Sequence, residues 1–364
     1  TDRSWTCLSA ITTPMPRGRS RHLLFSLLLL SQTLLSACDN GPDADTSDMP
    51  AGSTLGPQHL ALIINDEDPL SRRIGEYYLT RRHIPASNVI HIKFTPGNDV
   101  MRPQTFRLIK EQVDAQVPAS VQAYVLTWMA PYRVGCMSIT TAFAAGFDEA
   151  FCVQGCKATR ASPYFDSNSR QPFTDFNWRP AMMLSGETFA AVKALIDRGV
   201  AADSTHPDGT AYLLSTSDKA RNVRARFYPG ISLLQSDRFK VELVQGNSLK
   251  HRGDVMFYFT GLVHVAGIDS NQYRPGAIAD HLTSAGGKLT RSSQMSSLRW
   301  LQAGATGSYG TVVEPCAFVQ KFPRPNIVID RYLNGETLLE AYWKSVEWPG
   351  QGVFIGEPLA APFR

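Results

Sequence analysis

Apolar positions in this chain fall into short continuous runs separated by longer stretches with helical spacing. His59-Leu-Ala-Leu-Ile-Ile-Asn65 is such a run, the pattern of a strand buried on both faces. Asp68-Pro69 then supplies an N-cap and a first-turn proline, and Leu70, Ile74, Tyr77 and Tyr78 share one helical face. Ile84-Pro85 ends that helix, and 88–94 reads as a second strand. A helix over 104–117 and a strand over 121–129 follow, closed by the breaker Ala130-Pro131. The alternation resumes with a helix over 187–200, strand 210–215, helix 231–238 and strand 240–244. Asp254-Val-Met-Phe-Tyr-Phe-Thr-Gly261 is the strongest apolar run of all. Helices are expected over 275–284, 294–303 and 336–347, with a strand over 306–313. Strands alternating with helices predict an α/β fold, a mainly parallel sheet flanked by helices on both faces.

The interval 132–180 breaks this rhythm. It holds Cys136, Cys152, Cys156, Pro163 and Pro172 and keeps no steady period. We expect an insertion or long loop there, of the kind that often carries function in a compact domain.

The beginning of the chain has another grammar. Residues 1–14 show no pattern and are expected to be upstream translated sequence ahead of a start at Met15. Residues 15–22 are basic, and 23–35 form an apolar stretch broken only by Ser26, Ser31, Gln32 and Thr33. A positive region, a short apolar region and a small-residue boundary make a secretory signal, too short for a comfortable membrane span. The boundary Leu35-Ser36-Ala37-Cys38 resembles the bacterial lipoprotein box. That resemblance implies a signal peptide over 15–37, a lipid on Cys38 and a periplasm-facing protein attached through it to the inner or outer membrane. Residues 38–58, rich in Gly, Pro, Asp, Ser and Thr, read as a flexible tether. A single α/β domain is expected over 59–364.

Charge adds an exclusion. The chain has 364 residues and a net charge of +4, but Arg3, Arg17, Arg19 and Arg21 all precede Cys38 and only one acid, Asp2, does. The remainder is close to neutral, and no run of Lys and Arg interleaves with aromatic residues. No nucleic-acid partner is expected on those grounds, and nothing in the chain asks for a cofactor.

In open parallel sheets, ligand sites form beyond the C-terminal ends of strands. Two such ends carry chemistry: Thr260-Gly261-Leu262-Val263-His264, and Glu314-Pro315-Cys316. A thiol and an imidazole brought to one rim make a dyad in which His264 takes the proton of Cys316 and the thiolate attacks an acyl carbon. Gly261 and Gly310 would then let backbone approach a substrate. Against this stands cysteine parity. Cys136, Cys152, Cys156 and Cys316 form an even set, and in an oxidising compartment an even set favours two disulfides, with three possible connectivities. Cys152 and Cys156 lack the further ligands of a zinc site, and no metal site is expected. Gly286-Gly287-Lys288 reads as a turn and not a phosphate loop. Asp66, Glu67 and Asp68 read as a cap and solvated acids, Asp280 and His281 as a surface pair on a helix, and Ser308 lacks a nucleophile-elbow context.

Residues 253–261 are similar to the strand of caspase-like and gingipain-like cysteine peptidases that ends in a small residue, Gly, then the catalytic His-Gly. The ending Phe354-Ile355-Gly356-Glu357-Pro358-Leu359 resembles the close of the gingipain type. More closely, 62–89 and 276–362, above all Ala303-Gly-Ala-Thr-Gly-Ser-Tyr-Gly-Thr-Val-Val-Glu-Pro-Cys316, resemble an uncharacterised bacterial family found alongside the exosortase protein-sorting system. These resemblances imply a caspase- or gingipain-like architecture in envelope protein processing or sorting, with an exported or envelope protein as partner. The peptidase pattern places its His at Leu262 and its Gly at Val263, so His264 lies two residues late, about 6–7 Å along an extended chain. This departure favours a non-catalytic, degenerate peptidase-like module; the alternative is a cysteine peptidase using Cys316 and His264.

Overall fold

The structure, a computed structural model, describes residues 54–364. The expected leader, Cys38 and all but the end of the tether lie outside the described residues. Among those described, the strands are β1 (Leu60–Asn65), β2 (Val89–Ile92), β3 (Val100–Met101), β4 (Ala123–Leu126), β5 (Arg133–Val134), β6 (Met137–Ser138), β7 (Ala181–Met183), β8 (Gly209–Ser215), β9 (Phe239–Gln245), β10 (Val255–Thr260), β11 (Tyr273–His281), β12 (Gly307–Thr311) and β13 (Gly352–Gly356). The α-helices are α1 (Pro69–Arg82), α2 (Pro103–Gln116), α3 (Ile139–Ala145), α4 (Pro172–Phe176), α5 (Phe189–Ala202), α6 (Tyr228–Ile231), α7 (Leu298–Ala303), α8 (Pro325–Leu333) and α9 (Leu338–Ser345).

Ten strands form one helix-flanked sheet in the order β2-β1-β4-β7-β13-β12-β11-β10-β8-β9. This is the mainly parallel α/β architecture expected from the hydrophobic pattern. β13 runs antiparallel to β12 over five paired residues, from Gly307 opposite Gly356 to Thr311 opposite Gly352. It meets β7 where Ile355 lies opposite Met183. Every other extended pairing is parallel. β1, β4 and β10 are buried along their whole length, which is why they read as continuous apolar runs and not as alternations.

α1 forms as its sequence dictates. The Asp68 carboxylate accepts the Leu70 N–H, Pro69 occupies the first turn, and Ile74 and Tyr78 are buried. Its end is tied to the far end of the chain. Arg82 pairs with Glu357 and Asp203, and Tyr78 Oη donates to Glu357 at 2.6 Å. Burial raises the Tyr78 phenol, and the neighbouring Glu357 carboxylate raises it further. Glu357 thus gives the Gly356-Glu357-Pro358 ending a structural duty.

Two expectations are corrected here. Residues 275–284 are not a helix: β11 occupies most of them, and its alanines are buried small side chains rather than helix formers. Pro275 and Gly276, the latter at φ 87°, sit where the register with β10 slips between Val255 opposite Tyr273 and Phe257 opposite Ile278. A bulge of this kind tolerates a proline inside a strand. Residues 231–238 hold only the end of a helical segment: its turns run over Asn222–Phe227, α6 and the 3-10 turn Ser232–Leu234, and end before Gln235. The interval 132–180, expected as an insertion or long loop, carries short elements of its own: β5 and β6 join β3 in a small three-stranded sheet, and α3 and α4 lie within it. α3 holds the start of β13, Thr140 Oγ1 donating to the Gly352 carbonyl at 2.7 Å.

The loops that leave β2, β6, β11 and β12 gather at one edge. Thr290 Oγ1 donates to the Asp99 carboxylate at 2.5 Å, and Cys156 is bonded to Cys316. Two positions on that edge are topological switch points: β1 has β2 on one side and β4 on the other, and β8 has β9 on one side and β10 on the other.

Candidate functional site

The expected dyad maps onto the second switch point. β10 ends at Thr260, and its neighbours are β8 and β11. β12, which leads to Cys316, lies one strand further. At about 4.8 Å per strand, the segments leaving β10 and β12 start about 10 Å apart, with the end of β11 between them. The disulfides of the described residues are Cys136–Cys152 and Cys156–Cys316. This is one of the three connectivities that four cysteines allow. With its sulfur bonded to Cys156, Cys316 presents no thiolate. His264 is exposed, and its Nε2 lies 3.0 Å from the Ser293 carbonyl oxygen. A carbonyl only accepts, so that nitrogen carries the proton and donates it. The two residues are not assembled into a dyad.

The glycines at the rim are approached by the protein itself. A Cβ on Gly261 would lie 1.9 Å from the Arg221 carbonyl oxygen, and one on Gly310 would lie 2.3 Å from the Gly286 carbonyl carbon. Thr216 Oγ1 donates to the Gly261 carbonyl at 2.7 Å, and the Gly287 N–H donates to the Thr311 carbonyl at 2.9 Å. Gly286-Gly287 is the turn expected, and it is glycine because it interlocks with β12. Space that a substrate backbone needs is filled by the loop after β8 and the turn after β11.

Between these segments remains a cavity of about 310 Å³, lined among others by Arg221, Leu282, Ser284, Glu314 and Cys316. Its charged groups are engaged. Arg221 pairs with Asp218 at 2.9 Å and donates to Thr283 at 3.1 Å. Glu314 accepts the Cys316 N–H at 2.7 Å and lies 2.8 Å from Lys321, both carboxylate and ammonium being buried. Glu314 therefore fixes the turn that presents Cys316 to Cys156.

Sequence reasoning missed the charged plug beneath this rim. Asp280 and His281, expected on a helix surface, stand at the end of β11 and are each 1% exposed. Arg224 reaches in from the loop after β8, lies 2.6 Å from Asp280 and donates to the Thr260 carbonyl at 2.8 Å. Burial pushes the Asp280 carboxyl up, against the opposing pull of Arg224. Trp300 Nε1 donates to His281 Nδ1 at 2.9 Å, which leaves the proton on Nε2, 3.1 Å from the Met295 carbonyl. Both ring nitrogens are satisfied in the neutral form, and burial drives the His281 pKa down to about 3. The available signal was the run Ala277-Ile-Ala-Asp-His281, whose polar pair ends an apolar segment just as Thr260-Gly261 does.

Asp66 lies 2.6 Å from His91, and Asp68 caps α1. Among the described residues no group of three or more His, Cys, Asp or Glu is placed to hold a metal ion. No helix among them is long and apolar enough to cross a membrane. Compared with known proteins, the chain matches no family model and no curated protein.

Proposed function

We propose that this chain is a lipid-anchored module of the bacterial cell envelope, held through Cys38 and facing the periplasm. It recognises an exported or envelope protein during processing or sorting without cleaving it, as its resemblance to an exosortase-associated family implies. One observation carries the choice of binding over catalysis: Cys316 is bonded to Cys156. A cysteine peptidase needs a thiolate with a base in reach. Here the imidazole at the end of β11 is buried and neutral, and His264 donates its Nε2 proton to a carbonyl.

The test is thiol titration of the mature domain, purified unreduced from an oxidising compartment and unfolded in guanidinium, together with fluorogenic peptide hydrolysis. With the Cys38 sulfur occupied by the lipid, the expected result is no titratable thiol and no hydrolysis. A reactive Cys316, with hydrolysis abolished by Cys316→Ala, would replace the binding reading with the peptidase one. For the anchor, Cys38→Ala is expected to move the protein from the membrane fraction to the soluble fraction. Unchanged sedimentation with membranes would remove the lipid.

A further inference from the structure

The second switch point is filled by Arg221, Arg224 and the loop after β8. The first is open. Beside it, between the loop leaving β2, the first turns of α2 and Pro131 after β4, lies a cavity of about 710 Å³. That volume is in the range of sites that take a drug-sized ligand or a few peptide residues. Two features of its walls point to one kind of occupant.

The first is apolar surface left uncovered. Of the few large hydrophobic residues exposed among those described, Val100 at 45% and Leu108 at 70% both line this cavity. Val100 stands on β3 and Leu108 on the outer side of α2, with the buried Phe94, Met101 and Ile109 between and beneath them. Two exposed aliphatic side chains facing one hollow over a buried apolar floor make a place for a large apolar side chain.

The second is charge. Lys93 and Arg102 line the same cavity, no Asp or Glu does, and neither cation has an ion-pair or hydrogen-bond partner for its side chain among the described residues. Arg82, Arg221 and Arg224, by contrast, are all paired. The loop is also held in place. Asn65 Nδ2 donates to the Phe94 carbonyl at 2.9 Å and its Oδ1 accepts the Phe94 N–H at 3.1 Å, so the segment carrying Lys93 is clamped to the end of β1. A pre-formed hollow with an apolar floor and two free cations is complementary to carboxylates flanking an apolar side chain.

We infer that this groove between β3 and α2 binds an acidic, apolar peptide segment of a partner protein, with leucine-like side chains against Val100 and Leu108 and carboxylates on Lys93 and Arg102. This site is separate from the rim around Cys316, so it stands or falls independently of the reading above.

The test uses fluorescence anisotropy with the mature domain and a fluorescein-labelled peptide, Gly-Asp-Leu-Leu-Asp-Gly, at low salt. Saturable binding is expected. It should weaken about tenfold or more with Lys93→Glu plus Arg102→Glu, and about fivefold with Leu108→Ser, which removes apolar contact at an exposed position. The peptides Gly-Asp-Ser-Ser-Asp-Gly and Gly-Lys-Leu-Leu-Lys-Gly should each bind about tenfold more weakly or worse. No saturable binding, binding unaffected by these variants, or equal binding of the control peptides would overturn the proposal. Self-association in sedimentation that the charge reversals abolish would assign the groove to a second copy of the chain and overturn it. So would adsorption to vesicles of anionic lipid that the same variants abolish, in the absence of peptide binding.

Discussion

Replacing both Cys156 and Cys316 by serine isolates the bridge that closes the rim. The bridge joins positions 160 apart in sequence, whereas Cys136–Cys152 joins positions 16 apart. In the chain-entropy account the long loop is worth about 5 kcal/mol and the short one about 3 kcal/mol. A domain of roughly 300 residues unfolds with an entropy of about 0.6 kcal/mol/K, so these losses translate to about 8 °C and about 5 °C in Tm. Scanning calorimetry of the unreduced wild type and the two double variants at pH 7 reads them directly. The order matters more than either value: Cys156→Ser with Cys316→Ser must lower Tm further than Cys136→Ser with Cys152→Ser. An equal or smaller loss for the long bridge would refute the reasoning, since a bond that spans half the chain and costs nothing to remove cannot be constraining the unfolded state. Peptide hydrolysis should be absent before and after.

Three more tests concern the plug under the rim. Arg224→Met leaves Asp280 buried without its partner and should cost about 3–5 kcal/mol in chemical denaturation, most of it recovered when Asp280→Leu is added; no recovery would mean that the pair is not coupled. The unfolded imidazole of His281 takes a proton near pH 6.5 that the folded one refuses until about 3. Its contribution is therefore complete above pH 6.5 and is lost at about 1.4 kcal/mol per unit as pH falls below that, so His281→Gln should show a correspondingly flatter stability profile from pH 6 to 4. Gly261→Ala drives a methyl into the Arg221 backbone and should cost about 2–4 kcal/mol, whereas Gly230→Ala, with nothing within 4 Å, should be close to neutral by the same denaturation assay.

The strongest local signals carried the fold. β1, β4 and β10 are apolar on both faces, and the Asp68-Pro69 start of α1 needs no tertiary information to be recognised. β7, β13 and α8 escaped because three to nine residues, apolar in β7 and β13 and mixed in α8, specify an element only through the neighbours they meet. β11 was mistaken for a helix for a related reason: its alanines satisfy helix propensity, and only the crowding against β10 and β12 makes small side chains a requirement of a strand. At the rim, sequence identified Gly261, Gly310 and Cys316 as positions of consequence but not what each one faces. Glycine is needed wherever another backbone comes near, and a pattern of letters does not distinguish a substrate's backbone from the chain's own. Pairing of Cys156 with Cys316 is equally invisible, since both connectivity and rim geometry depend on how 132–180 folds over the sheet edge.

β13 lies between β7 and β12, yet its residues, 352–356, follow every other strand of the sheet along the chain. A ribosome therefore delivers it after the nine other strands of that sheet. Until it arrives, the strands made earlier form two separate groups with an open seam between them, and Tyr309 lacks the Phe354 ring that packs 5.0 Å from it in the finished sheet. The middle of the sheet is thus the last part that can close, and a chain terminated before residue 352 is left without a finished interior.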